Sequence, residues 1–113
     1  MSHNYLELAY AMLSDFKSGK LVSGVEMNDE QINLIRLLIQ DLLPQHDFNP
    51  ELAADVLLSA AHEDTRWNHA AQKTITKCYS LRKSNQPEAA KDLQKDFAVR
   101  CPSAWYRQIV ESV

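Results

Sequence analysis

The chain has 113 residues, 45% of them hydrophobic and 24% charged, with a formal net charge of −3. Those values fit one globular domain of ordinary core size and exclude an intrinsically disordered chain. Residues 1–61 hold nine acidic and three basic side chains, −6, whereas residues 62–113 hold six acidic and nine basic ones, +3.

The first predicted helix runs from about Asn4 to Lys17, with Tyr5, Leu8 or Ala9, Met12, Leu13 and Phe16 as its apolar stripe. The only two glycines, Gly19 and Gly24, then bracket a loop. A second helix opens at Asn28, with Asp29 and Glu30 in its first turn and Gln31 three residues on, the pattern of a capping box. Its body, Ile32 to Leu43, has only a narrow polar stripe and predicts the central helix. It ends before Pro44, which disfavours helical geometry in the residue preceding it.

A third helix start is written as Asn49, Pro50 and Glu51: a cap, a first-turn proline and an acid at the positive end of the dipole. Leu52, Val56 and Ala60 form its row. Asp64 or Thr65 then predicts the cap of a fourth helix reaching about Ser84, with Trp67, Ala71, Cys78 and Leu81 on its stripe. Asn85 reads as a stop, Pro87 begins a fifth helix to about Arg100, and Pro102 with Ser103 begins a short sixth. No stretch alternates with period two, so no strands are expected. The expected fold is therefore all-α, one domain over 1–113, an irregular bundle of about six helices. A small helical-repeat-like array is the alternative.

The longest mostly apolar stretch, Ile32 to Leu43, is too short and too polar to cross a bilayer. The first residues, Met1 to Asn4, carry no cationic segment ahead of an apolar core, and a cytoplasmic location is expected. Cys78 and Cys101 both fall on apolar stripes and read as buried thiols rather than a disulfide.

The densest polar cluster is His62 to His69, but its histidines are seven apart and Arg66 stands where a helical zinc motif needs its second imidazole. A helix junction explains its acids, so no metal and no cofactor are expected. No Gly-rich phosphate loop and no nucleophile motif appear, which points away from catalysis. What remains is electrostatic. Glu26, Asp29, Glu30, Asp41, Asp47, Glu51 and Asp55 gather around the second and third helices, and such a patch steers a cationic protein. Against it stand Lys73, Lys77, Lys91 and Lys95, a basic stripe that could follow nucleic-acid phosphates. Trp105 and Tyr106, if exposed, would suit a helical adaptor or oligomerising subunit.

In size, acidity and helical pattern, the chain resembles the small immunity proteins of contact-dependent growth inhibition systems. The resemblance implies a non-catalytic inhibitor that covers the basic active site of a nuclease-type toxin. It places Asp41 to Asp55 on the toxin-facing surface.

Overall fold

A computed structural model describes residues 2–19, 28–47 and 53–113. Among them the chain is all-helical: α1 Ser2–Lys17, α2 Asp29–Leu42, α3 Ala53–Lys83, α4 Pro87–Arg100 and α5 Ala104–Glu111. Five helices stand where about six were expected, because the predicted third and fourth are one. No glycine or proline lies between Ala53 and Lys83, and a capping residue cannot stop a helix that nothing else interrupts. Positions 57, 60, 64, 67, 71, 74 and 78 recur at alternating steps of three and four, and all seven are buried. That is one continuous heptad stripe. The loop from Lys20 onward and the start at Asn49, Pro50 and Glu51 lie outside the described residues.

The chain forms two compact units, Met1–Asp64 and Thr65–Val113. The first holds eleven acidic and three basic side chains, −8, and the second four acidic and nine basic, +5. Folding thus separates charge more sharply than a midpoint count of the sequence does.

In the first unit, α1 packs on α2. The buried side chains are Ala9, Met12 and Leu13 from α1, Ile35, Leu38 and Leu42 from α2, and Leu57 and Ala60 from α3. Tyr5, expected on the α1 stripe, is 60% exposed, and of the pair Leu8 or Ala9 it is Ala9 that is buried, with Leu8 51% exposed. Tyr10 is buried instead, its hydroxyl donating to Asp41 Oδ2 at 2.6 Å. This bond turns the buried arc of α1 towards Tyr10 and away from Leu8. The capping box at Asn28 forms as predicted, with Gln31 N–H donating to Asn28 Oδ1 at 2.8 Å and Asn28 N–H to Gln31 Oε1 at 3.0 Å.

In the second unit, Trp67 meets Phe97 edge to face, with ring centroids 5.9 Å apart. Gln94 ties three helices. Its Oε1 accepts from Arg82 Nη2 of α3 at 3.2 Å, and its Nε2 donates to the Val110 and Val113 carbonyls at 2.9 and 3.2 Å. One of these acceptors, Val110 O, is in the last turn of α5, and the other, Val113 O, lies just beyond the helix. Cys78 and Cys101 are free, buried thiols, and Tyr106 is buried, which removes it from any exposed contact. Ser103 caps α5 by accepting from Tyr106 N–H at 3.1 Å.

Helix α3 ends at Asn85, whose φ of 64° is left-handed. Gln86 N–H reaches back to Leu81 O and Asn85 N–H to Arg82 O, the two bonds of a Schellman motif. Asn85→Gly should leave the urea midpoint unchanged or raise it. Asn85→Val should lower stability by about 1–2 kcal/mol, because a branched side chain is strained in that conformation. Equal midpoints for the two variants would contradict the assigned backbone.

Candidate protein-binding pocket

Of the seven acids singled out in the sequence, the five described residues stand at different places on the first unit. Glu26 and Glu51 lie outside the described residues. Asp29 and Glu30 are exposed in the first turn of α2. Asp47 follows the other end of that helix, and a 14-residue helix is about 21 Å long. Asp41 is buried beneath the surface with Tyr10 as its donor, so its carboxyl group faces the core and not a partner. The reason is its register: Leu34, Leu38 and Asp41 follow one row of α2, and Asp41 continues the buried side of the helix.

What the fold does bring together is Asp47 with Asp55. Pro44 forces Leu43 out of helical geometry, to φ −133° and ψ 60°, and ends α2. A tight turn follows, closed by His46 N–H donating to Leu43 O at 2.9 Å, which carries His46 and Asp47 to the surface. Asp55 and Ser59 stand one turn apart on α3 and are exposed. These residues line one pocket of about 120 Å³ with Leu43 and Val56, both half-buried, as its apolar part. Pockets for small molecules and cofactors run from about 300 to 1,000 Å³. This one has room for a single side chain. Its chemistry, two carboxylates beside two aliphatic groups, suits the cationic head and methylene stem of lysine or arginine.

The second acidic feature of α3 is also structural. Asp64, read from the sequence as a helix cap, sits mid-helix and accepts from Lys17 Nζ of α1 at 2.9 Å. With the helix continuous, His62 and His69 share a face, contrary to the junction expected between them. They stand two turns, about 10 Å, apart, beyond the reach of one ion. Among the described residues no group of three or more His, Cys, Asp or Glu is placed to hold a metal ion. No described helix is long and apolar enough to cross a membrane.

The basic residues also divide. Lys73 and Lys77 are exposed one turn apart on α3, beside a shallow depression with Gln72 and Thr76. On α4, Lys91 lies 3.7 Å from Glu88, and Arg100 Nε donates to Asp96 at 3.1 Å. Lys91 and Lys95 face a separate pocket lined by Gln94 and Glu111. The four lysines thus line two separate pockets, one beside α3 and one beside α4. Comparison with protein-family models, with curated proteins and with solved structures finds no match to this chain.

Sequence reasoning missed Asp64 and His46. Asp64 was visible as the one charged member of a heptad row, whereas His46 is brought to the surface by the turn after Pro44. The split among the acids is measurable. Asp41→Ala removes the carboxylate that accepts from the buried Tyr10 hydroxyl and should cost about 1.5–3 kcal/mol in chemical denaturation. Asp47→Ala and Asp55→Ala, both at exposed positions, should stay within about 0.5 kcal/mol of the parent. Similar losses for all three would place Asp41 back at the surface.

Proposed function

We propose that the protein is a non-catalytic protein-binding protein of the immunity or inhibitor type. Its partner is a basic protein, a nuclease-type toxin, held through the first unit. The observation that carries this reading is the convergence of Asp47 and Asp55, eight residues apart in sequence, on one small surface pocket with an aliphatic wall. The surrounding unit, at −8, adds long-range attraction for a cationic partner and raises the rate of encounter. A lysine or arginine from the partner would enter the pocket, its stem against Leu43 and Val56 and its charge between the carboxylates. Inhibition would follow by occlusion, since the partner's catalytic cations would be covered by protein rather than substrate.

The test uses the immobilised full-length chain in a nuclease-treated extract of its own cell, at low salt. The parent should retain a stoichiometric basic protein, and Asp47→Lys/Asp55→Lys should not. With the purified partner, that double variant should slow association at least tenfold at low salt, with a smaller effect at high salt. An unchanged association rate would remove the pocket as the contact.

A further inference from the structure

The two units carry opposite charge, −8 and +5, and each concentrates part of it on a short stretch of chain. From Leu37 to Ala61 there are four aspartates and glutamates and no lysine or arginine. From Trp67 to Lys83 there are four lysines and arginines and no aspartate or glutamate. Asp47 and Asp55 are exposed at the pocket of about 120 Å³ in the first unit, and Lys73 and Lys77 are exposed one turn apart in the second. Among the described residues none of these four forms an ion pair within the chain.

The pocket restricts what can fill it. It has room for one side chain, and its two carboxylates beside Leu43 and Val56 call for a cation on an aliphatic stem. Leu58, three residues after Asp55, is 52% exposed and gives the neighbouring surface an aliphatic edge. Lys73 and Lys77 offer the required group from one helix. Their depression is otherwise lined by the neutral Gln72 and Thr76, so no acid there competes with the pocket for them. The α4 lysines are placed differently: Lys91 lies 3.7 Å from Glu88, and Lys95 shares its pocket with Glu111. Opposite net charge also favours approach of the acidic unit of one copy to the basic unit of another.

We infer that a second copy of this chain occupies the acidic pocket. Lys73 and Lys77 of one copy meet Asp47 and Asp55 of the next, one ammonium inside the pocket and the other at its rim. The contact joins two different surfaces and is therefore heterologous. The inference rests on the pocket being a receptor for lysine or arginine, as in the proposed function. It adds that a toxin-type partner has to displace the second copy, so the basic unit keeps the pocket covered until that partner arrives.

Sedimentation equilibrium of the full-length chain, over a range of concentrations at low and high salt, tests the pairing. At low salt the average mass should rise with concentration above the 12.9 kDa of one copy, and at high salt it should stay there. Asp47→Lys/Asp55→Lys and Lys73→Glu/Lys77→Glu should each remain single, with the parent circular dichroism spectrum because the altered positions are exposed. An equimolar mixture of the two variants should associate again, since one supplies the pocket and the other the lysines. Lys91→Glu/Lys95→Glu, with the same net charge as the α3 variant, should associate like the parent. A constant mass of one copy for the parent at low salt would overturn the inference. So would association of either α3 or pocket variant alone, or no recovery in the mixture. The two readings separate in the extract assay: Lys73→Glu/Lys77→Glu keeps its pocket and should still retain the basic protein. Capture without self-association removes the second copy alone, whereas loss of both removes the pocket as a cation receptor.

Discussion

The buried row from Leu57 through Asp64 to Cys78 requires α3 to pass through Asp64 and Thr65 without a break. Six of its seven members are neutral. The seventh, Asp64, would oppose burial if it stood alone, because an unpaired carboxylate withdrawn from water is costly. Lys17 makes the position tenable: its ammonium comes from the last turn of α1 to within 2.9 Å of Asp64 Oδ2. The Asp64 side chain remains 13% exposed and that of Lys17 33%, so the pair keeps part of its hydration.

Continuity of the helix decides what the polar residues along it can do. A junction at Asp64 would let His62 and His69 face different ways and would place Glu63 and Asp64 in a first turn. Within one helix, Asp64 turns inward with the heptad row, and Asp55 and Ser59 turn outward beside the Pro44 turn. Beyond Thr65 the outer face contains cations without acids. The opposite charges of the two units, −8 and +5, follow from the same arrangement. One helix thus supplies an acidic binding edge near its start and a basic face along its second half, each resting on its own core.

Much of this was legible in the sequence. The capping box at Asn28, the stop before Pro44, the stop at Asn85 and the helix starts at Pro87 and at Pro102 with Ser103 all act through neighbours within five residues. Local physics suffices there, and the helix ends follow. Apolar spacing likewise marked Cys78 and Cys101 as buried. What failed was interpretation of polar residues whose partners are remote. Asp41 and Asp64 look like surface acids because charge normally stays in water. Tyr10, 31 residues from Asp41, and Lys17, 47 residues from Asp64, are what allow their burial. Similarly, Tyr5 has the right spacing for the core of α1 but is exposed, whereas Tyr10 is buried with its hydroxyl on Asp41. Asp47 and Asp55 were chosen for charge, and the fold joined them for a different reason, the turn that Pro44 imposes.

The central claim is that α3 is unbroken through residues 62–68, since both binding surfaces take their geometry from it. Backbone chemical shifts with amide hydrogen exchange in solution test it at single-residue level. Unbroken helix predicts helical Cα shifts from His62 to Asn68 and slow exchange at the Asp64, Thr65 and Arg66 amides, comparable with Ala71. Coil-like shifts with rapid exchange at those three amides would mean two helices capped at Asp64, and the continuous buried row from Leu57 to Cys78 would fall with it.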